Sequence, residues 1–277
     1  MTDSKTTLAG VVQMTSTADV SANMGAVQEL VREAADRGAE VVVVPECFAY
    51  LGPEEGKLEI AEPLEGEGGD GPILNQCRDI ARQAKVNVVY GGFWEASATP
   101  GKVRNACIYM GADGSIESVY RKIHLFDVDL PDGTKLLESE TVEAGDDAVV
   151  ADAPFGVLGL SVCYDLRFPE LYRRLVDLGA IALAVPAAFT LTTGKDHWHV
   201  LLRARAVEQQ SYVLAAAQTG HHYGKRWSYG HALIVDPWGT VVAQCGEGPG
   251  VAVAPVSATR VAEVRQAVPS LAHRRIR

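Results

Sequence analysis

Four consecutive valines, Val41–Val44, constrain the fold of this chain more than any other segment. A strand that is apolar on both faces belongs to a sheet that is covered on both sides. The valines follow a segment whose apolar residues have helical spacing and which ends at Gly38. Because strands and helices alternate in this way along much of the chain, we predict an α/β protein. Hairpins mixed with these units indicate a mixed sheet or a pair of sheets with helices outside.

Apolar periodicity and turn residues predict the other elements. The segments 53–71 and 123–150 are rich in turn-forming residues, and we expect each to be a long loop, the first of them a loop or lid. The predicted helices are about 19–37, 72–84, 169–178, 196–210 and 257–267. The predicted strands are 8–14, 41–44, 86–90, 106–110, 116–120, 157–162, 180–185, 212–217, 231–235 and 240–244.

Composition narrows the class of protein. The 277 residues, 47% of them hydrophobic, suit one domain over 1–277 with its core at about 8–268 and a basic tail at 269–277. A net charge of −10 argues against non-specific binding to nucleic acid. No apolar run reaches the roughly 18 residues of a membrane span, and the first residues lack a signal peptide's apolar stretch. Five cysteines without close pairing suggest neither a disulfide framework nor a zinc site. We expect a cytoplasmic protein without metal, membrane or nucleic-acid partners.

Three reactive residue types follow strand-like runs. Cys163 lies between an apolar run and the helix start at Pro169, which places it at a strand-to-helix elbow. Glu46 follows the valine strand, and Lys122 follows the predicted strand 116–120. Each residue alone has an ordinary structural interpretation: a core cysteine, a surface lysine and a strand-ending glutamate. Together, these residue types can form a site that hydrolyses amides.

The chemistry of such a site requires particular roles. A thiol attacks as its thiolate, so Glu46 is a candidate base toward Cys163 and a candidate acid toward the leaving amine. Lys122 and the backbone N–H of Tyr164 are candidates to stabilise the oxyanion. Glu138, which alone would be a solvated loop carboxylate, is a candidate to hold Lys122 and orient water. This scheme uses no cofactor and no metal.

Three blocks of the sequence resemble the nitrilase superfamily, the carbon–nitrogen hydrolases. They are Val44-Pro-Glu46, Tyr120-Arg-Lys-Ile-His-Leu-Phe-Asp127 and Val162-Cys-Tyr-Asp-Leu-Arg-Phe-Pro-Glu170. The resemblance implies that Glu46 is the general base, Lys122 the oxyanion stabiliser, Cys163 the nucleophile and Glu138 the second glutamate. It also implies a four-layer α-β-β-α sandwich, with two mixed sheets and outer helices, assembled as a homodimer or higher homo-oligomer.

Further segments resemble the branch of deaminated glutathione amidases and omega-amidases. Leu137-Glu-Ser139 and Arg203-Ala-Arg205 are closer to the former, and Thr190-Leu-Thr-Thr-Gly194 is closer to the latter. The resemblance therefore implies a thiol amidase that most resembles an enzyme for deaminated glutathione, releasing 2-oxoglutarate and cysteinylglycine. Omega-amidase activity on 2-oxoglutaramate, or on another small amide or carbamoyl compound, stays open.

These candidate substrates are small amides with a carboxylate end. A guanidinium offers paired donors to a carboxylate, so we place Arg167 in the substrate site. Tyr164, Phe189 as an apolar wall and Thr193 as a hydroxyl donor complete the predicted set. The structural alternatives are an ion pair of Arg167 with Glu170 or Asp165, and a helix N-cap role for Thr193.

Two other functions stay open at this point. A cysteine–histidine hydrolase would pair His231 with Cys163. A scaffold that binds a partner would keep the fold without the chemistry. The presence of all four candidate catalytic residues favours the amidase over both.

Overall fold

All four residues of the valine strand are buried in a computed structural model of the chain, which describes residues 6–64, 71–129 and 135–276. The helices are α1 Val20–Asp36, α2 Glu54–Glu59, α3 Pro72–Ala84, α4 Pro169–Asp177, α5 Leu191–Gln209 and α6 Ala258–Ala267. The strands are β1 Thr7–Met14, β2 Val41–Val44, β3 Asn87–Ala96, β4 Val103–Met110, β5 Ile116–Arg121, β6 Asp127–Asp129, β7 Lys135–Leu137, β8 Val142–Glu143, β9 Val150–Ala153, β10 Gly156–Leu160, β11 Ala182–Ala184, β12 Tyr212–Ala215, β13 Ala217–Tyr223, β14 Arg226–Tyr229, β15 Leu233–Val235, β16 Val241–Gln244 and β17 Gly250–Val256.

The strands form two main mixed sheets. The first has nine strands with the path β14-β13-β1-β2-β3-β4-β5, to which β17 adds at β1 and β8 at β4. The second has six strands in the order β16-β15-β12-β11-β10-β9. In each sheet parallel pairs lie at the centre, and antiparallel pairs extend the sheet outward.

Alternate residues of the valine strand face two different cores. Val42 and Val44 pack with residues of α1 and α3. Val41 and Val43 face the interior between the sheets, where they join residues of β10 to β12. Helices α4 and α5 cover the other face of the second sheet. The layers are therefore helix, sheet, sheet and helix, which confirms the predicted α-β-β-α sandwich.

Several predicted elements are confirmed, together with the residues that begin or end them. Helix α1 begins after Asp19, whose side chain accepts a 3.0 Å hydrogen bond from the Ala22 N–H. Helix α3 has the predicted bounds. The turn at 111–114 joins β4 and β5, and Gly114 there has a φ of 80°, which a side-chain-bearing residue rarely adopts.

The two predicted loops contain short elements, so those predictions were partly wrong. Segment 53–71 includes the one-and-a-half-turn helix α2, and its residues 65–70 lie outside the described residues. Segment 123–150 contains β6 paired with β7, a 3-10 turn at Glu138–Glu140, and β8 paired with β4. Strands of two or three residues are too short to show an apolar alternation. Residues 130–134 of this segment lie outside the described residues.

The predicted strand 212–217 is divided between the two sheets. β12 belongs to the second sheet and β13, which begins after Ala216, to the first. The predictions also missed the hairpin of β13 and β14, strand β17, and the first turn of α5 at Leu191. The predicted strand from 231 begins instead at Leu233. Polar residues mask the strand pattern of the β13–β14 hairpin, whereas β17 is apolar and its omission has no such cause.

The basic C-terminal segment packs on the protein where it is described. Arg274 forms an ion pair with Asp177 at the end of α4. Among the described helices, none combines the length and apolar character needed to span a membrane.

Candidate active site

The four candidate catalytic residues meet where the ends of the two sheets adjoin. Glu46 follows β2 and Lys122 follows β5 in the first sheet. Cys163 begins a 3-10 turn, Cys163–Arg167, just beyond β10 of the second sheet. Glu138 lies on the 3-10 turn after β7. All four line one cavity of about 580 Å³.

The Lys122 ammonium lies between two carboxylates. Its Nζ donates to Glu46 Oε1 at 3.0 Å and to Glu138 Oε2 at 2.8 Å. Lys122 is only 2% exposed, so little water screens these charges. The arrangement fixes the ammonium next to the thiol-bearing elbow.

Asn105 is a member of this cluster that sequence analysis missed. Its Nδ2 donates to Glu46 Oε1 at 3.1 Å and to Glu138 Oε1 at 3.2 Å. Asn105 lies in β4 next to β5, so the hydrogen-bonded strand pair brings it beside Lys122. The sequence Arg104-Asn-Ala106 carries no motif that would have identified it.

Glu46 is held on both oxygens. Its Oε2 accepts from the Ala188 N–H at 3.0 Å. Its carboxylate also forms a hydrogen bond with the Cys163 thiol, and the Ala188 backbone lies against the same sulfur. The candidate base and the candidate nucleophile are therefore already in contact.

The protonation states follow from these contacts. Burial opposes ionisation of Glu46, but the Lys122 charge and hydrogen bonds from Cys163, Lys122 and Asn105 outweigh it and lower the pKa of Glu46. Burial also opposes the charge of Lys122, yet the charges of Glu138 and Glu46 hold its pKa well above the ordinary value. Burial and the neighbouring Glu46 charge raise the pKa of the Cys163 thiol well above its ordinary value. The resting site therefore holds a carboxylate, an ammonium and a protonated thiol.

The backbone at Cys163 is strained. Its φ of 47° lies in the left-handed region, which is unfavourable for a residue with a Cβ. The Cys163 N–H donates to Pro186 O at 2.9 Å, which ties the elbow to the chain after β11. The left-handed turn lets the chain reverse at the sheet edge.

Asp165 links the elbow to the segment that carries Lys122. This fully buried carboxylate accepts from the Tyr120 hydroxyl at 2.7 Å and from the Val162 N–H at 2.8 Å, and it pairs with His124 Nδ1 at 2.7 Å. Two of the sequence blocks are thus joined through one side chain. Asp165 forms no described ion pair with Arg167, contrary to one structural alternative for that arginine.

The predicted substrate residues line a second, smaller cavity that also touches Cys163. Tyr164, Arg167, Phe189 and Thr193 all lie on its wall. The Arg167 guanidinium lies 5.2 Å from the Phe189 ring centre and 5.9 Å from the Tyr164 ring centre, and its Nη1 is 3.3 Å from His197 Nδ1. Among the described residues, no carboxylate pairs with it. The geometry therefore leaves Arg167 able to receive an anion.

Thr193 combines the two roles considered for it. Its N–H donates to Thr190 Oγ1, the N-cap of α5, and its hydroxyl lies 2.9 Å from the same oxygen. It is therefore part of the helix start and also of the cavity wall.

His231 is not placed to activate the thiol. It precedes β15, its Nδ1 lies 3.0 Å from Tyr229 O, and its ring stacks on Tyr229. The described walls of the two cavities that contain Cys163 do not include it. The geometry contradicts a cysteine–histidine pair.

Comparison with known proteins concerns the chain as a whole. A family model described as carbon–nitrogen hydrolase matches residues 8–266. A protein named deaminated glutathione amidase from Synechocystis sp. is 46% identical over 270 residues, covering 96% of this chain and 97% of its own. The human protein of that name is 41% identical over 276 residues, covering 97% of this chain and 82% of its own.

A solved structure extends the comparison to the fold. Saccharomyces cerevisiae Nit3, described as a member of branch 10 of the nitrilase superfamily, matches with a TM-score of 0.84 and 30% identity. The match covers 98% of this chain and 97% of that one. Likeness of this extent in sequence and in fold means that the chain belongs to the carbon–nitrogen hydrolases of the nitrilase superfamily.

Proposed function

We propose that this protein is a thiol amidase that cleaves a linear amide through a thioester on Cys163. The observation that carries the proposal is the contact of Cys163 with Glu46, whose carboxylate is itself held by Lys122 beside Glu138. Base, nucleophile and a fixed positive charge line one cavity. These are the groups that acyl transfer from an amide needs.

The first half-reaction forms the thioester. Sγ of Cys163 bonds to the amide carbon while its proton passes to Glu46. The carbonyl oxygen becomes an oxyanion, stabilised by the Lys122 ammonium and the Tyr164 N–H. When the intermediate collapses, the C–N bond breaks and Glu46 returns the proton to the leaving amine.

The second half-reaction releases the acid. Glu46 takes a proton from water as the water oxygen attacks the thioester carbon. The C–S bond then breaks, the sulfur regains the proton, and a carboxylic acid leaves. Glu138 positions Lys122 for both oxyanions through its 2.8 Å contact with Nζ.

The substrate that we favour is deaminated glutathione, which would give 2-oxoglutarate and cysteinylglycine. The names of the relatives at 41–46% identity support it. Arg167 would bind the carboxylate of the 2-oxo acid end, with Phe189 and Thr193 beside it in the smaller cavity.

We also propose a cytoplasmic homodimer or higher homo-oligomer. Exposed Val200 and Val207 on α5 support such an interface.

The second candidate substrate is 2-oxoglutaramate, because it presents the same acyl end to Arg167 and Thr193. The test is release of 2-oxoglutarate from both compounds at equal enzyme concentration. We expect deaminated glutathione to be preferred by at least about tenfold in kcat/KM, which is about 1.4 kcal/mol of transition-state free energy. A preference for 2-oxoglutaramate would identify an omega-amidase. Failure with both would overturn the proposed substrate class.

A further inference from the structure

Cys163 lines two adjoining cavities of very different size, whose walls also share Phe126 and Ala188. The smaller one holds the residues assigned to the acyl end. The larger one, about 580 Å³, extends from Cys163 past Glu46 to Tyr223 and Arg226. The smaller cavity, about 10 Å³, has room for one water-sized group, such as a carboxylate at Arg167, so the rest of the substrate, including its leaving group, occupies the larger one. Ammonia would fill little of this space, since a molecule of water takes only about 30 Å³ of liquid volume.

The cations on the larger cavity's wall differ in their partners. Lys122 is held by Glu46 and Glu138, and Lys57 forms an ion pair with Glu54. Arg226 has no ion pair among the residues that the structure describes. Among the described cations on this wall, Arg226 is therefore the one that can pair with an anion.

The Arg226 guanidinium is only partly satisfied. Its Nη2 donates to Ala188 O at 2.7 Å. Its Nη1 is enclosed by protein and has no hydrogen-bond partner in the described part of the chain. A buried donor without a partner is unfavourable, and a guanidinium pairs best with a carboxylate through two donors. A small rotation that brings Nη1 to a carboxylate in the cavity would relieve this cost.

The position of Arg226 suits the far end of a short peptide. Ala188 joins Arg226 to the reaction centre, since its carbonyl binds the guanidinium and its N–H binds Glu46. Two extended residues span at most about 7 Å. Because Glu46 and Arg226 bind the two sides of one residue, a dipeptide whose amine leaves beside Glu46 and whose chain runs along Ala188 brings its carboxylate toward Arg226.

Neighbouring carboxylates do not occupy this position. Glu54 accepts from Lys57 and from the Thr141 hydroxyl, at 3.2 Å for the latter. Glu46 is engaged by Lys122, Asn105 and Ala188. The two lysines of the wall are already paired with carboxylates, so Arg226 is the described cation that can pair with an incoming carboxylate.

We propose that the larger cavity is the leaving-group subsite and that Arg226 binds the terminal carboxylate of the leaving group. The enzyme then selects amides whose nitrogen belongs to a short peptide with a free carboxyl end. This inference rests on the proposed function, because it takes the acyl end to lie at Arg167.

The alternative is that Arg226 only supports the Ala188 backbone and, through it, Glu46. The two roles separate with a pair of substrates: deaminated glutathione and its analogue in which the terminal carboxylate is a carboxamide. If Arg226 only supports the backbone, its replacement lowers kcat/KM equally for both substrates. If Arg226 binds the carboxylate, its replacement changes the ratio of the two kcat/KM values.

We expect wild-type enzyme to prefer the free carboxylate by at least tenfold in kcat/KM. Arg226→Gln should bring the ratio to about one. Lys225→Gln, which removes the neighbouring exposed charge outside the described cavity wall, should keep the wild-type ratio. A wild-type ratio near one, or a ratio that Arg226→Gln leaves unchanged, would overturn the proposal.

Binding of the leaving group gives a readout that does not depend on turnover. In titration calorimetry, wild-type protein should bind cysteinylglycine at least ten times more tightly than cysteinylglycinamide, and Arg226→Gln should abolish the difference. Inactivity of wild type toward deaminated glutathione would count against the proposed function, while this titration would still decide the role of Arg226. Equal affinity of wild type for both peptides would refute that role.

Discussion

At the scale of single residues, the site keeps a buried carboxylate ionised although burial opposes its charge. Glu46 must be ionised to accept a proton although it is buried beside a thiol. The Lys122 ammonium and the donors of Asn105 and Ala188 make this possible, and the same carboxylate keeps the Cys163 thiol protonated at rest. In the proposed mechanism, the proton therefore moves only when an acyl carbon is present to take the sulfur's electron pair.

The pKa shifts of Glu46 and Cys163 predict the pH dependence of activity. The pKa of Glu46 lies below its ordinary 4.5, so kcat/KM should fall only as the pH drops below that value. The pKa of Cys163 lies well above its ordinary 9.0, so no thiol ionisation should alter the rate up to that pH. The profile should be flat between these limits. An acid midpoint near 6 or higher would contradict the assignment.

The same lowered pKa affects stability with a defined sign. Ionised Glu46 stabilises the fold above its ordinary pKa of 4.5, and this contribution is lost as the pH falls through the lower folded value. Activity measurements in acid therefore require a parallel check of folding.

Some residues were predictable from sequence and others were not. Glu46, Lys122, Glu138 and Cys163 belong to local motifs, and all four lie on one cavity wall. Asn105 and Arg226 reach the site only because β4 pairs with β5 and because the hairpin of β13 and β14 folds back. Their positions depend on pairings distant in sequence, which no local pattern encodes.

At the scale of elements, Asp165 holds together two segments that carry different catalytic groups. It is fully buried and binds Tyr120, His124 and the Val162 backbone N–H. Replacing this carboxylate by an amide removes the charge and puts an NH2 donor where an oxygen accepted, so that donor faces donor.

We expect Asp165→Asn to lower the free energy of unfolding by about 2–4 kcal/mol. It should also reduce kcat, because Lys122 and Cys163 lose their common anchor. Urea denaturation measures the first effect, with Asp152→Asn on the exposed face of β9 as control, expected within about 0.5 kcal/mol of wild type. Wild-type stability of Asp165→Asn would show that the network contributes little.

The elements themselves differ in how far sequence could define them. The valine strand and helices α1 and α3 have strong apolar patterns, and their predicted positions are confirmed. Helix α2 is mostly polar and is stabilised by the buried Lys57, which pairs with Glu54 and lies 5.1 Å from the centre of the Trp94 ring. Such tertiary contacts do not appear in periodicity.

At the scale of the whole molecule, the two-sheet sandwich is what assembles the site. Glu46 and Lys122 come from the first sheet, and Cys163 comes from the second. The shared core between the sheets fixes their relative position, and Asp165 adds a link at the rim. The chemistry therefore depends on the packing of both sheets.

The most direct test of the account is the covalent state of Cys163 during turnover. Wild-type enzyme and Glu138→Gln are mixed with deaminated glutathione, quenched in acid and analysed by intact mass and peptide mapping. We predict a single 2-oxoglutaryl group on Cys163, at higher occupancy in Glu138→Gln if thioester hydrolysis is slowed, and no adduct or product in Cys163→Ala. Continued release of 2-oxoglutarate by Cys163→Ala, with no adduct in any of the proteins, would contradict the thioester mechanism.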